Sequence, residues 1–171
     1  MINPRVGTYA LVLVSQRSMH VRIGRTGKLE TQPGFYVYVG SAHGPGGVRA
    51  RIAHHQKRAL RPHWHIDYLR AALELREVWF TYDPVRREHA WAMALNAWPG
   101  GALPVTHFGC SDCECDSHLY FFHAYPSRAL FRRTLSTACP DHARMYSAGP
   151  WVGSSNCGWA QSLVSRRGRS C

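Results

Sequence analysis

Hydrophobic positions along this chain fall into short runs bounded by turn residues, and their period changes from strand-like to helical and back. The first run, Gly7 to Val14 (GTYALVLV), is apolar at almost every position and lies between Arg5 and the polar group Ser15-Gln16-Arg17-Ser18. A second short run, Met19 to Ile23, closes at Gly24-Arg25-Thr26-Gly27, and Leu29 to Pro33 reads as a connector. Phe35 to Val39, aromatic and β-branched in alternation, is the third strand. Three short strands with turn residues between them predict an antiparallel sheet. After Gly40-Ser41 and the turn Gly44-Pro45-Gly46-Gly47, no breaker interrupts Val48 to Leu60, which predicts a helix. On it Arg51, His55 and Arg58 share one face, spaced i, i+4 and i+7, while Val48 and Ile52 turn toward a core.

Arg61-Pro62 breaks that pattern, and His63 to Leu69 leads into a second helix reaching about Leu73. Glu74 to Tyr82 is the next strand. Asp83-Pro84, with Asp as cap and Pro at the first position, predicts a third helix running to about Trp98 and closing at Pro99-Gly100-Gly101. From Leu103 the chain is loop-like until a short strand at His118 to Phe122. The expected fold is α+β, a small and mainly antiparallel sheet of three or more strands flanked by about three helices. It occupies residues 1–125. Residues 126–171 are expected as a C-terminal extension, helical near Arg128 to Leu135 and then a disordered basic tail.

Composition changes this picture in two ways. The 171 residues suit one domain, large enough to fold without a staple. Lys+Arg exceed Asp+Glu by 21 to 10, a formal net charge of +11, and nearly all of the cations are arginine. Arginine pairs bidentately with phosphate, so the balance favours a polyanionic partner; an arginine-rich proteome would give the same excess. No run approaches the roughly 18 apolar residues of a membrane span. The N-terminal apolar stretch lacks a small-residue cleavage site and reads as a strand, so the expected setting is the cytoplasm, away from membranes. Three of the six cysteines crowd into Cys110-Ser-Asp-Cys113-Glu-Cys115, too close for disulfides among themselves.

Several residues admit a chemical role beside a structural one. Tyr9 and Tyr38 could reach one face of the sheet, or simply pack across strands. His63 and His65 flank Trp64, but an i, i+2 pair does not share a helical face, so solvation or capping fits them better than a metal. Glu88, the only carboxylate of the third helix, is either a surface partner of a neighbouring arginine or an oxygen ligand for a hard cation. Cys110, Cys113, Cys115 and His118 carry zinc-type donors. Their C-x2-C-x-C-x2-H spacing lacks two separated ligand pairs, so zinc is not expected and the cysteines read as structural.

Together, Gly7-Thr8-Tyr9 and Tyr38-Val39-Gly40, about 30 residues apart, resemble the two name-giving triplets of the GIY-YIG nuclease superfamily. The helix carrying Arg51 and His55, and Glu88 on the third helix, continue the likeness. Gly40-Ser41-Ala42, Gly46-Gly47, His63 through Tyr68, and Phe108-Gly109 through Leu119 resemble a narrower branch, found alone or fused to endonuclease III-like glycosylases. Thr8 stands where the family has isoleucine. The resemblance covers about residues 6 to 125.

What the resemblance implies is a metal-dependent endonuclease acting on nucleic acid, DNA in preference to RNA, with repair as the expected setting and a repair protein as a partner. Glu88 would hold a single Mg²⁺ or Mn²⁺ ion, and Arg51 would stabilise charge on the phosphoryl transition state. Tyr9, linked to His55, would take a proton from the attacking water, and Tyr38 would position water or phosphate. Gly40 and Ser41 would line the substrate path, with Arg58 gripping the backbone. Two other functions stay open: a nucleic-acid-binding module of the same fold with little or no catalysis, and a zinc-stabilised interaction domain.

Overall fold

The computed structural model describes residues 1–24, 27–110 and 113–150. Its centre is a six-stranded, wholly antiparallel sheet in the order β6-β7-β4-β1-β5-β8. These strands are β1 (Thr8–Ser15), β4 (Gly34–Ser41), β5 (Glu74–Thr81), β6 (Gly101–Ala102), β7 (Leu119–Phe122) and β8 (Met145–Ala148). The α+β class expected from the sequence is the class observed.

β1 is apolar from Tyr9 to Val14 because it is covered on both faces. Tyr9, Leu11 and Leu13 point into one core, with Tyr36, Val78 and Phe80. Ala10 and Val12 point into the other, with Val37, Val39 and Trp79. Pairing of β1 with β5 slips by one residue between Val12 and Leu13. That bulge lets Leu75 and Val78, three residues apart, share one face.

Two helices cover the first face, α1 (Gly47–Gln56) and α2 (His65–Ala72), through Val48, Ile52, Ile66 and Leu69. The entry to α1 depends on glycine. Gly47 has φ 54°, and a Cβ there would lie 2.1 Å from the Arg5 carbonyl oxygen, which accepts the Val48 N–H at 2.8 Å. Helices α3 (Glu88–Asn96) and α4 (Arg128–Ala138) cover the second face. Phe131 of α4 stacks on Trp79 with ring centroids 5.3 Å apart.

Four expectations need correcting. The run Met19–Ile23 (β2) does not join the main sheet. It pairs with β3 (Gly27–Thr31), the stretch read as a connector, in a separate hairpin whose buried Val21, Ile23 and Leu29 pack on the first core. β3 alternates outward Lys28 and Glu30 with inward Leu29 and Thr31, a period-2 pattern too short and too polar to stand out.

Helix α1 ends at Gln56, not near Leu60. The Arg70 Nε of α2 donates to the His55 carbonyl at 3.0 Å, satisfying a terminal acceptor from outside the helix, so no local stop residue is needed. Helix α3 starts at Glu88, five residues after Asp83. The Asp83 carboxylate is used in a turn, accepting from Val85 N at 3.0 Å, Arg87 Nε at 2.8 Å and Ala143 N at 3.2 Å.

The chain after Pro126 is not an appendage as far as residue 148. The helix expected there is α4, whose Phe131 and Leu135 complete the second core, and β8 pairs with β5. β8 is only four residues long, an edge strand with no fully buried residue, and so carries no alternating pattern that would mark it. The expected disordered tail falls largely on residues outside those described.

Candidate functional site

The two faces of the sheet meet at the end of β4, where a cleft of about 640 Å³ opens. Tyr38, Gly40 and Ser41 of β4 form its floor, with Trp64 just ahead of α2 on one side and Glu88 of α3 on the other. Glu88 therefore faces the same cleft as Tyr38, although α3 and α1 pack on opposite faces of the sheet.

Register explains the next contact. Tyr9 pairs across from Gly40, and its ring lies against the Gly40 backbone. A Cβ on Gly40 would meet the Tyr9 Cζ and hydroxyl at 2.5 Å, so no side chain fits between the phenol and the cleft floor. The Tyr9 hydroxyl is 2.8 Å from His55 Nε2 in a buried hydrogen bond. His55 Nδ1 lies 4.0 Å from Asp67 Oδ1, beyond hydrogen-bond reach, and has no partner among the described residues. Asp67 itself is held firmly: Oδ1 meets His54 Nε2 at 2.8 Å, and Oδ2 accepts the backbone N–H groups of His63 and Trp64 at 3.0 Å each.

Burial sets the protonation of this group. It pushes His55 down to about 3, helped by His54 and by the Arg70 and Arg51 charges and opposed by Asp67, so the imidazole is neutral near pH 7. Burial, then Tyr38, holds the Tyr9 phenol well above its ordinary value, while the Arg51 charge pulls it back. Burial also raises Tyr38, again against Arg51.

A stability prediction follows from His55. Its folded pKa lies below the unfolded value of about 6.5, so the unfolded chain binds the extra proton first. Stability is complete above about pH 6.5 and falls as the pH drops toward the folded pKa. Between pH 7 and pH 5 the loss from this one group is about 2 kcal/mol. Asp67 and Asp83, both depressed, titrate below that window, and His142, depressed by burial, adds in the same direction. Urea unfolding of the wild type and of His55→Gln at the two pH values checks this. The variant should lose about 2 kcal/mol less on acidification; equal losses would show that His55 is not buried neutral.

Arg51 sits one turn before His55 on α1, with its guanidinium 4.4 Å from the centre of the Trp64 ring. Among the described residues it makes no ion pair, so its fork of donors is held by an aromatic face and not by a carboxylate. Glu88 is 5% exposed. Its Oε1 is 3.5 Å from Arg86 Nη1, which also reaches Ser41 Oγ at 3.4 Å across the cleft mouth. Its Oε2 is buried with no hydrogen-bond partner among the described residues. Thr8 accounts for where Glu88 lies: its buried Oγ1 accepts the Arg87 N–H at 3.1 Å and ties the start of α3 to β1. An isoleucine at position 8 could not make that bond.

Six of the residues singled out in the sequence thus gather here: Tyr9, Tyr38, Gly40, Ser41, His55 and Glu88, with Arg51 at the rim on Trp64. Arg58 does not join them. It lies beyond the end of α1, exposed, because the helix stops before the turn that would have aligned it. Trp64, Asp67 and Arg86 were not expected at the site; the His-Trp-His pattern drew attention to its histidines, while the indole makes the contact.

Among the described residues, two groups of side chains could hold a metal besides Glu88: His54, His55 and Asp67, and separately His89, Cys113, Cys115 and His118. Cys110 is outside the second group, its thiol donating to the Phe108 carbonyl at 3.6 Å. Ser111 and Asp112 lie outside the described residues. A hard divalent ion fits Glu88 on one observation, the buried carboxylate oxygen that no described residue satisfies, since such an atom costs about 1–3 kcal/mol or more unless a cation or water meets it.

The family model described as "Domain of unknown function DUF123" matches residues 8–139. No curated protein and no solved structure matches the chain.

Proposed function

The chain belongs to the DUF123 family, and we propose that it is a divalent-metal-dependent endonuclease of the GIY-YIG kind, hydrolysing phosphodiester bonds in nucleic acid, DNA before RNA. The observation that carries this reading is the Glu88 oxygen that has no hydrogen-bond partner among the described residues, buried in one cleft with Tyr38 and the Gly40 backbone and across from Trp64, on whose ring Arg51 sits. Glu88 would hold Mg²⁺ or Mn²⁺, which supplies charge neutralisation at the scissile phosphate.

The remaining chemistry belongs to the chain. His55, neutral and with Nε2 on the Tyr9 hydroxyl, accepts the phenolic proton as the Tyr9 oxygen takes one from the attacking water. This relay avoids a free phenolate, which burial disfavours. The resulting imidazolium, which burial and the neighbouring His54, Arg70 and Arg51 disfavour, is met in part by the Asp67 carboxylate 4.0 Å away. Tyr38 orients water or phosphate from the cleft floor, and bare Gly40 keeps the path to the Tyr9 oxygen short. Arg51 meets charge building on the phosphoryl oxygens. The net charge of +11 grips the backbone on either side of the cut, with little regard to sequence. Among the described residues no helix is long and apolar enough to cross a membrane; the proposed setting is the cytoplasm, beside DNA-repair enzymes.

One observation favours a second reading, a binding module without catalysis: the Tyr9 phenol is 4% exposed and strongly disposed to keep its proton. Purified protein incubated with nicked, flapped and branched DNA, and with matching RNA, in Mg²⁺ or Mn²⁺ separates the two. Cleavage suppressed by chelator is the expected result. Salt-sensitive binding with no cut on any substrate in either metal would leave the module and remove the enzyme.

A further inference from the structure

The first turn of α3 carries His89 beside Glu88, and the loop ahead of β7 carries Cys113, Cys115 and His118. In the fold these four converge, with one donor atom from each lying within 4.8 Å of every other. His89 Nδ1 is 3.2 Å from Cys115 Sγ, and His118 Nε2 is 3.4 Å from Cys113 Sγ. Bonds of 2.3 Å to sulfur and about 2.0–2.1 Å to nitrogen put neighbouring ligands of tetrahedral zinc about 3.3–3.8 Å apart. Two edges of the required tetrahedron are therefore already near their final length, and the others need to close by no more than about 1.5 Å.

We propose that His89, Cys113, Cys115 and His118 form a closed, four-coordinate zinc site that clamps the start of α3 to the loop before β7. Two thiolates and two imidazoles are the donor set that selects Zn²⁺ over the hard cation proposed at Glu88. Binding releases the two thiol protons to solvent, and the two thiolate charges neutralise the ion.

Backbone bonds hold the loop at His107 and Phe108 and again at Asp116 and His118 without the metal. His107 N donates to the Asp116 carbonyl at 2.7 Å, His118 N to the Phe108 carbonyl at 2.9 Å, and Val39 N to the His118 carbonyl at 2.9 Å. Asn96 Nδ2 donates to Asp116 Oδ2 at 3.1 Å, so the loop is already clipped to the last turn of α3. Zinc would clip it to the first turn as well. The cysteine spacing looked unsuited to zinc because the missing ligand is His89, supplied by a helix 24 residues before Cys113. Cys110, closer in sequence, is left out.

The site shares no ligand with Glu88 and stands whether or not the chain cuts nucleic acid. Its test is metal content of the full chain purified without chelator, by inductively coupled plasma mass spectrometry. About one equivalent of zinc is expected, with below about a tenth in the Cys113→Ser/Cys115→Ser double variant. His89→Gln changes an exposed side chain, so the fold survives it; this variant should give up its zinc to a chelator concentration that the wild type withstands. Cys110→Ser and Glu88→Gln should keep theirs. Replacement by Co²⁺ should give the intense visible bands of tetrahedral cobalt with sulfur ligands, and stripping the zinc should lower the melting temperature. Wild-type protein that holds less than about a tenth of an equivalent, and takes up none when zinc is added, overturns the site. So does zinc that survives His89→Gln unchanged but is lost with Cys110→Ser.

Discussion

Glu88→Gln should reduce cleavage by at least about 10³-fold while leaving nucleic-acid affinity within about threefold of wild type. The substitution preserves shape and removes one negative charge. In the wild type that charge has only one partner, the exposed Arg86 at 3.5 Å, and its second oxygen has none among the described residues. An amide there can no longer attract a divalent ion strongly, so the several kcal/mol of transition-state charge stabilisation supplied by a bound metal are lost. Affinity should survive because it is spread over many arginines, and removing a carboxylate from a cleft for phosphate does not weaken attraction. Folding should survive too, since a buried carboxylate whose ion-pair partner is the exposed Arg86 is replaced by a neutral group of the same shape. The measurement is single-turnover cleavage beside equilibrium binding, each over a range of Mg²⁺ and Mn²⁺ concentrations. A variant cutting within tenfold of wild type would remove Glu88 from the metal role, and the endonuclease proposal with it.

The parts of the fold that the sequence made legible are those with strong local signals. β1, β4, β5 and α2 are long or strongly patterned, with turn residues at their ends, and they lie within a residue or two of where the pattern puts them. What escaped depended on contacts between distant segments. β3 is a strand because β2 is beside it, and β8 because β5 is. Helix α1 stops where Arg70 caps it from α2. The start of α3 is set by a hydrogen bond from β1 and by Arg87, whose guanidinium joins Asp83 to Asp141 at 2.8 and 2.7 Å.

The site divides along the same line. Tyr9, Gly40 and His55 are named in advance by the family resemblance, and strand pairing and the Tyr9–His55 hydrogen bond bring them together. Arg58 failed with the helix end. His89 could not be assigned from its neighbours, since its ligand-like position exists only once α3 is laid against the cysteine loop. Trp64 shows the limit of reading side chains by type: its value lies in the flat face it offers to a guanidinium.

That stacking leads to the second large effect. Arg51→Ala should lower turnover by about 10²-fold or more, with affinity changed only a few-fold. The guanidinium is held 4.4 Å over Trp64, and its charge is felt at Tyr9, Tyr38 and His55, so it is positioned to act on the residues of the proposed proton relay. With no carboxylate to satisfy it among the described residues, its donors remain available to a phosphate. Charge develops on the phosphoryl oxygens chiefly in the transition state, which is why the loss should fall on turnover and not on binding. Arg51→Lys should recover little, because an ammonium offers neither the planar stack nor the forked donors. Trp64→Ala, which frees the guanidinium without removing it, should fall between wild type and Arg51→Ala. The salt dependence of binding provides the opposing outcome. If Arg51 only clamped a phosphate in the ground state, its removal would lessen the slope of log K against log salt by about one and leave turnover at the wild-type level. That combination would place Arg51 among the many arginines that hold the backbone, and the cleft would lack its transition-state donor.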